Sequence, residues 1–265
     1  MAAAVSRQAI LDAAQCEDES EAYELALPNI GLKAMLGLTK CVRLRVLDLS
    51  FNAIRAIEGL DALGDLRELK LYANEISHMH GLANCVKLQS LLLHDNRLGA
   101  DCNPSGSGLQ ALAQLETLHV GTNHRLGAAG LSALRLGQLP ALTELDASSA
   151  RLGASPALPG LRVLETLRLE HNEIADLTCV ASLGALQELH LGHNELRGDA
   201  LVALAALTRL STLHLESNRI ERLDRLPHLP KLVELYLASN RIATIPILAG
   251  EKKAAERSGH TAASK

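Results

Sequence analysis

Histidine and carboxylate side chains cluster in the second half of the chain, and their types could bind a metal ion. His190, His193 and His214, with Glu216 close behind, offer imidazole and carboxylate groups, which are the usual ligands of zinc. The alternative is that these histidines lie on an exposed polar surface, where they supply hydrogen bonds and sensitivity to pH. We favour this alternative, and the sequence predicts neither a metal ion nor another cofactor.

Catalytic chemistry has weaker support in the sequence. His119 and Asp146 occupy matching positions in neighbouring segments, as two members of a catalytic triad would. No nucleophile with a group that stabilises an oxyanion accompanies them. The glycines fall at turns, and none belongs to a phosphate-binding loop between a strand and a helix. We therefore predict no catalytic residues and a protein that is not an enzyme.

The elements that must position these residues come from a tandem repeat. Leu44–Ile54 reads LRVLDLSFNAI, and its spacing LxxLxLxxNx(I/L) returns eight more times. The copies begin at Leu44, Leu66, Leu88, Leu115, Leu142, Leu164, Leu186, Leu210 and Leu232. Their starts lie 22, 22, 27, 27, 22, 22, 24 and 22 residues apart. Helical arrays have longer periods, of roughly 33 residues or more, so this period predicts a solenoid of short coils.

Each copy contains a short strand with one buried face. Leu47 and Leu49 are two residues apart, so they point to one side of the strand while Asp48 points to the other. One coil cannot bury its leucines alone, but stacked coils can, and they form a parallel sheet. An asparagine follows the strand, where its amide can satisfy backbone groups that the sheet does not reach. The asparagine column comprises Asn52, Asn74, Asn96, Asn123, Asn172, Asn194, Asn218 and Asn240.

These residues resemble the leucine-rich-repeat superfamily and, within it, the intracellular 22-residue class with the pattern LxxLxxLxLxxNxIxxIxxL. That class includes a regulatory subunit of protein phosphatase 1 and a light chain of outer-arm axonemal dynein. The resemblance covers residues 21–248 and implies an α/β fold. It implies a curved right-handed solenoid with a parallel sheet on the concave face and short 3₁₀ or α segments on the convex face. Members of the class bind unrelated partners.

Three regions follow from this interpretation. Residues 1–20 are predicted to hold a capping helix with Ser6 as its N-cap, followed by an acidic, solvated connector that extends to Glu21. Residues 21–248 form the repeat domain, whose first, imperfect copy places Leu25 and Leu27 in a strand. Residues 249–265 are rich in Ala, Lys and Ser, and they are predicted to be a flexible tail.

Irregular segments interrupt the repeats. Residues 99–108 predict a mobile loop, which is either a binding loop or, as we favour, a neutral insertion. In the fifth copy Ala147 replaces a strand leucine and Ala150 replaces the asparagine. This predicts weaker strand pairing in this copy. The weaker pairing would allow either a change of curvature or a close approach by a partner. The longer copies predict brief α-helices around residues 130–134 and 198–207.

Composition limits the compartment and the type of partner. A net charge of −4 and a pI near 6.3 argue against direct binding of nucleic acid. The five cysteines are scattered and odd in number, and we predict buried thiols rather than disulfides. The first 20 residues lack the apolar run of a signal peptide or membrane span. We expect no membrane contact and a cytoplasmic protein, with the axoneme of a cilium or flagellum as a more specific location.

The strand residues that alternate with the leucines define the predicted concave surface, and one set is expected to contact a protein partner. That set comprises Asp48, Phe51, Lys70, Tyr72, Leu92, His94, His119, Asp146, Arg168, Glu170, His190, His193, His214, Glu216 and Tyr236. Beside it stand Glu68, Glu144, Glu188 and Glu234, each just before the first leucine of its strand. Strands about 4.8 Å apart would give a groove roughly 40 Å long, enough for a standard protein interface.

The leading functional hypothesis is a non-catalytic scaffold or adaptor that holds a protein partner in this groove. The start of the chain resembles the dynein light chain in having a helix, an imperfect strand and a cysteine before the first regular repeat. This favours a monomeric subunit of an axonemal or microtubule-associated complex. Regulation of a phosphatase ranks lower because partner-binding aromatic residues are scarce. A third hypothesis is a protein-binding subunit of an RNA–protein complex.

Overall fold

One parallel sheet runs along the molecule. The computed structural model describes residues 5–102 and 109–243. Ten strands of three residues each pair in sequence order, and each is parallel to its neighbours. They are β1 (Glu24–Ala26), β2 (Val46–Asp48), β3 (Glu68–Lys70), β4 (Ser90–Leu92), β5 (Thr117–His119), β6 (Glu144–Asp146), β7 (Thr166–Arg168), β8 (Glu188–His190), β9 (Thr212–His214) and β10 (Glu234–Tyr236). This sheet confirms the predicted solenoid and the predicted first strand.

Helical segments occupy the connections between strands. The α-helices are α1 (Arg7–Ala14) and α2 (Gly127–Ala133), and the 3₁₀ segments are Glu19–Glu21, Leu109–Ala111, Leu136–Gln138, Thr178–Val180 and Gly198–Ala206. The expected α-helix at residues 198–207 is therefore wrong. Leu201, Leu204 and Leu207 are all fully buried. A 3₁₀ helix has three residues per turn, so it points all three leucines at the core, whereas an α-helix would rotate them apart.

Leucine columns fill the core, and the asparagines bond the coils together. Leu47, Leu69 and Leu91 are register partners in successive strands, and all are fully buried. In a typical coil Asn74 donates from Nδ2 to Leu49 O at 3.0 Å and to Leu71 O at 3.1 Å. Its Oδ1 accepts from Ile54 N at 3.0 Å. One amide thus joins two coils, which confirms the structural role predicted for the column.

The N-terminal end of the core is covered by α1. Ser6 Oγ accepts from Ala9 N at 3.1 Å, so Ser6 is the N-cap as predicted, and Ile10 is fully buried. The acidic connector was predicted to be solvated, but part of it is buried. Glu19 is buried, with its carboxylate 3.7 Å from Arg7 Nε and 3.5 Å from Lys40 Nζ. A buried carboxylate needs such cations because burial removes its hydration.

The fifth copy keeps its strand pairing, contrary to prediction. Its strand, β6, pairs in register with both β5 and β7, and Ala147 N donates to Arg168 O at 2.9 Å. The coil still bonds to the asparagine of the next coil, because Asn172 Oδ1 accepts from Ala150 N at 2.9 Å and from Leu152 N at 3.3 Å. Ala147 and Ala150 are fully buried, so this coil packs in the stack with small residues.

Among the described residues, the last coil is less covered than the first. Leu235, in β10, is 36% exposed, whereas its counterpart Leu25 in β1 is 1% exposed. The predicted loop at residues 99–108 is described only as far as Cys102, and the rest of it lies outside the described residues. The predicted tail at residues 249–265 also lies outside them.

Candidate protein-binding surface

Strand register brings the predicted concave residues into continuous rows. In β2 to β9 the middle residue is buried, and the residues on either side are partly exposed on the opposite face. The third residues of successive strands are register partners, so His190 pairs with His214, and His214 pairs with Tyr236. Neighbouring strands are about 4.8 Å apart, so side chains in one row touch each other.

A stack of three rings occupies the C-terminal end of this row. His190 and His214 have ring centroids 4.4 Å apart and planes 9° from parallel. His214 and Tyr236 follow at 4.1 Å and 8°. Register partners on neighbouring strands are about 4.8 Å apart, which is close to the spacing of stacked rings, so the strand pairing brings these rings together.

A second run of rings lies at the N-terminal end. Phe51 meets Tyr72 edge to face at 5.3 Å, and Tyr72 stacks on His94 at 4.6 Å. His94 continues to His119 at 6.1 Å. Burial lowers the pKa of His94, with a smaller contribution from His119, so its ring is neutral near pH 7. Its Nδ1 is buried and has no hydrogen-bond partner within the described residues.

Ion pairs connect the two runs of rings. Glu144 lies between His119 and Arg168, at 3.2 Å from His119 Nε2 and in direct contact with Arg168 Nη1. Burial alone would raise the pKa of Glu144, but the hydrogen bonds from Arg168 and His119 outweigh burial and lower it. Glu144 is therefore ionised, and it holds both neighbours on the surface.

Glu170 is the most strongly held carboxylate of the surface. Ser148 Oγ donates to Glu170 Oε2 at 2.6 Å, and His190 Nδ1 lies 3.3 Å from Glu170 Oε1. Burial works to raise the pKa of Glu170, but the hydrogen bonds from His190 and Ser148 lower it to about 2. Glu170 thereby fixes one edge of the His190 ring and the start of the C-terminal stack.

Carboxylates also surround the far end of that stack. Glu216 Oε1 lies 3.4 Å from His214 Nδ1, while its Oε2 is buried and has no hydrogen-bond partner within the described residues. Gly192 leaves room for this carboxylate, because a Cβ atom there would lie 2.8 Å from Glu216 Oε1. Tyr236 Oη donates to Glu234 Oε2 at 3.3 Å. The charge of Glu234, then burial, raises the pKa of the Tyr236 phenol.

The remaining predicted residues are held by local contacts. Asp48 Oδ1 accepts from Ser50 N at 3.0 Å, and Asp146 Oδ1 accepts from Ser148 N at 2.8 Å. Lys70 Nζ lies 3.1 Å from Glu68, whose hydrogen bond raises the pKa of Lys70. Leu92 is the partly exposed register partner of both Lys70 and His119.

The histidines first considered as metal ligands do not form one group. His193 stacks on His171 with ring centroids 4.1 Å apart, whereas His190 and His214 belong to the other stack. Across residues 5–102 and 109–243, no three His, Cys, Asp or Glu side chains come close enough to hold a metal ion.

The predicted partner set omitted some of the groups that organise this surface. Glu144, Glu188 and Glu234 were recognised only as residues beside it, and Ser148 and His171 were not included. Their positions in the strand register carried part of the signal, because Glu144 and Ser148 flank Asp146, the register partner of Arg168. Spacing alone did not show which of them contacts which.

Comparisons with known proteins agree with the architecture. Residues 184–242 match a family model described as a leucine-rich repeat. An internalin (inlF) from Listeria monocytogenes is similar in structure, with a TM-score of 0.70 and 23% sequence identity over 90% of this chain and 76% of that one. The TLR13–ssRNA13 complex gives a TM-score of 0.66 and 20% identity over 83% of this chain and 33% of that one. No curated protein sequence matches this chain significantly.

A plant protein extends the set of structural neighbours. The ectodomain of the membrane receptor kinase GASSHO1/SCHENGEN3 from Arabidopsis thaliana, in complex with CASPARIAN STRIP INTEGRITY FACTOR 2, gives a TM-score of 0.56 and 26% identity. The match covers 77% of this chain and 25% of the ectodomain chain. This chain therefore spans only part of two of these three structures. None of its described helices has the length and apolar character needed to cross a membrane.

The sheet and these neighbours define the fold. The molecule is a leucine-rich-repeat solenoid, with ten parallel strands and an N-terminal capping helix. Proteins of this class generally mediate protein–protein interactions. The matches do not distinguish the 22-residue class, so that finer assignment stays a prediction.

Proposed function

We propose that this protein is a non-catalytic scaffold that holds a protein partner on its concave sheet. The observation that carries the proposal is the ordered row of side chains from His119 to Tyr236, in which side chains of neighbouring strands contact each other in ion pairs and ring stacks. Side chains that are already ordered lose little rotamer entropy when a partner binds.

The size of the sheet also supports the proposal. Ten strands spaced about 4.8 Å apart give a surface roughly 40 Å long, and this length suits an interface of standard size. The surface carries the stacked rings and Arg168, and aromatic residues and arginine are enriched at protein interfaces.

A triple variant tests the concave surface. Arg168→Ala, His190→Ala and Tyr236→Ala together remove a cation and two stacked rings, and we expect at least a ten-fold loss of affinity for a partner recovered from native extract. The matched control changes three exposed residues outside the row, Val86→Ala, Arg162→Ala and Val202→Ala. Undiminished binding by the first variant, with circular dichroism unchanged in both, would reject the concave face as the docking surface.

We further propose that the partner belongs to an axonemal or microtubule-associated complex in the cytoplasm. The order of α1, the imperfect coil with β1 and then Cys41 supports this, because it resembles the start of the dynein light chain. All five cysteines are free thiols, which supports a reducing compartment. Localisation of a tagged chain in ciliated cells, followed by mass spectrometry of its partners, tests the proposal. Exclusive recovery of phosphatase subunits would favour the regulatory alternative instead.

A further inference from the structure

The edge of the sheet at which the strands begin is basic over the coils of β2, β3 and β4. The six residues before each of these strands, residues 40–45, 62–67 and 84–89, form what we call the strand-start patch. It carries five cations and one carboxylate, Asp65, although the net charge of the whole chain is −4. The cations are Lys40, Arg43, Arg45, Arg67 and Lys87. Positive charge is therefore concentrated at this edge, away from the carboxylates of the concave face.

Arg45 and Arg67 lie side by side in this patch without a carboxylate of their own. Arg45 lies over the ring of Tyr23, with its Cζ 5.5 Å from the ring centroid, and Arg67 N donates to Arg45 O at 2.8 Å. Asp65 is already held by Lys87 Nζ at 2.5 Å. The hydrogen bond from Lys87 is the main cause of the lowered pKa of Asp65, and the charges of Arg45 and Arg67 contribute less.

No other carboxylate neutralises these two arginines. Across residues 5–102 and 109–243, neither Arg45 nor Arg67 forms an ion pair, and both side chains are exposed. Residues 1–4 and 103–108 contain no Asp or Glu that could supply one. Both guanidinium groups can therefore accept an acidic partner without breaking an existing ion pair.

A shallow apolar notch lies within the same patch. Val42, Gly64 and Val86 occupy the same position in three successive coils, four residues before each strand. Val42 is 47% exposed and Val86 is 48% exposed, and Gly64 places no side chain between them. Two coil spacings of about 4.8 Å separate the valines, which leaves room for one aliphatic side chain.

The fold does not require glycine at position 64. Gly64 lies outside the left-handed region that favours glycine. A Cβ atom there would meet only Asn84 O, at an ordinary contact distance of 3.9 Å. Gly81 differs, because its φ is +79° and a Cβ atom would lie 2.2 Å from Ile57 O. The notch is thus not a by-product of backbone geometry, and a side chain could fill it without strain.

We propose that the strand-start patch docks an acidic segment of a protein partner, with one apolar side chain of that segment in the notch over Gly64 and carboxylates paired with Arg45 and Arg67. Guanidinium groups bind carboxylates through two parallel hydrogen bonds, and arginine is enriched at protein interfaces. An apolar side chain in the notch covers the exposed valines. This docking surface is separate from the concave face, so it adds a second contact to the proposed scaffold.

The patch suits an acidic protein segment better than a nucleic acid. Proteins that bind single strands stack the bases on exposed aromatic rings, whereas valines line this notch. A phosphate backbone is also bound by an extended basic surface, whereas the concave face beside this patch carries Asp48 and Glu68. Carboxylates on a short segment match the two arginines without meeting those negative charges.

Short labelled peptides test the patch directly. The probe is a heptapeptide with a central leucine, a glutamate and an aspartate on each side of it, and a glycine at each end. One matched probe replaces the acids by glutamine and asparagine, and another replaces the leucine by glycine. Fluorescence anisotropy with the full chain at low salt should show the acidic probe binding about ten-fold tighter than the neutral probe. It should bind about five-fold tighter than the probe without leucine. Equal binding of the acidic and neutral probes would overturn the proposal.

Charge variants locate the site on this edge. Arg45→Gln with Arg67→Gln should weaken the acidic probe about ten-fold, because both carboxylate partners are lost. Arg162→Gln with Arg209→Gln is the matched control, since it removes two exposed cations that precede β7 and β9 on the same edge. This control should leave the affinity unchanged. Equal weakening by both pairs would show that the probe senses only the general charge, and the patch would be rejected.

A notch variant tests the apolar part of the contact. Gly64→Val should fill the notch and weaken the acidic probe about five-fold, while circular dichroism and the melting temperature stay unchanged. Gly184→Val is the matched control, because Gly184 holds the same position before β8 and a Cβ atom there meets nothing within 4 Å. Full affinity in Gly64→Val would remove the notch from the proposal.

Other occupants and the concave face give distinct outcomes. The concave triple variant should bind the acidic probe as the unaltered chain does, so this proposal and the scaffold function can fail separately. The chain also carries Glu251 and Glu256. If the probe binds only after both are changed to Gln, the occupant is this chain's own C-terminal segment, and an external partner is overturned. Tighter binding of a 12-nucleotide polyuridylate or of phosphatidylserine vesicles through Arg45 and Arg67 would overturn an acidic protein segment.

Discussion

The ring of Tyr236 lies parallel to the imidazole of His214, with centroids 4.1 Å apart and planes 8° from parallel. These residues are register partners in β10 and β9, so the stack follows directly from the pairing of the strands. Each added coil can therefore extend the stack by one ring. The sheet therefore sets the order of the surface side chains. Its leucines lie on the opposite, buried face, and the asparagines follow the strands.

Removing the charge of Glu234 should make Tyr236 easier to ionise. In Glu234→Gln we expect the pKa of Tyr236 to move down toward its ordinary value near 10, because the charge of Glu234 is the main reason that it is raised. Ultraviolet titration in a Tyr23→Phe, Tyr72→Phe background reads this tyrosine alone. Glu24→Gln, in β1 at the opposite end of the sheet, is the control and should cause no change. An unmoved titration in Glu234→Gln would show that the field has another source.

Replacing Asn172 should destabilise the fold more than replacing Asn240. Asn172 is fully buried, and its Oδ1 also serves Ala150 N in the coil that lacks an asparagine. Its Nδ2 donates to Ala147 O and Glu170 O. We expect Asn172→Ala to lower the free energy of unfolding by about 3 kcal/mol, since several buried backbone groups lose their partner. Asn240→Ala, at the more exposed end, should cost about 1 kcal/mol. Urea unfolding measures both, and equal losses would show that the burial of the asparagine does not set the cost.

Gly81 should not tolerate a side chain. Its φ is +79°, and a Cβ atom would lie 2.2 Å from Ile57 O in the neighbouring coil. We expect Gly81→Ala to cost about 3 kcal/mol, from backbone strain together with displaced packing. Gly153→Ala separates the two causes, because its φ is +65° but a Cβ atom there meets nothing within 4 Å. It should cost about 1 kcal/mol. Thermal melts that rank Gly153→Ala as the worse substitution would contradict this account.

Acid should weaken the fold partly through Glu170. Its pKa falls from 4.5 to about 2 in the folded chain, so the folded state favours the ionised form. This contribution to stability is fully present above pH about 4.5 and is lost as the pH falls toward about 2. Glu170→Gln should be less stable near pH 7 and should show a shallower loss of stability across that range. Identical pH profiles for both chains, measured by urea unfolding, would refute the linkage.

Repetition made much of this fold predictable from the sequence. The strands, the leucine columns and the role of Asn74 follow from residues that recur in register, because every coil meets the same physical demand. Local departures were harder to predict. Residues 198–206 have a composition that suits an α-helix, and only the burial of leucines three residues apart selects the 3₁₀ form. The segment after β6 bonds to Asn172 in the next coil, which a view of one copy cannot show.

The candidate surface was predictable in outline but not in its contacts. The alternation of residues in each strand placed His190, His214 and Tyr236 on one face. Ring orientation, the position of Glu144 between His119 and Arg168, and the buried Glu216 Oε2 depend on side-chain rotamers. Burial of Glu19 was missed for a similar reason, because Lys40 reaches it from a later coil.

The two ends of the stack differ, since Leu25 is 1% exposed beneath α1 while Leu235 is 36% exposed in β10. In a solenoid each coil is held only by its neighbours. When the two termini are pulled apart, the coil that contains β10 should therefore yield first, and the remaining coils should peel away in order toward α1. A force–extension trace of this protein should show a series of small steps in place of a single rupture.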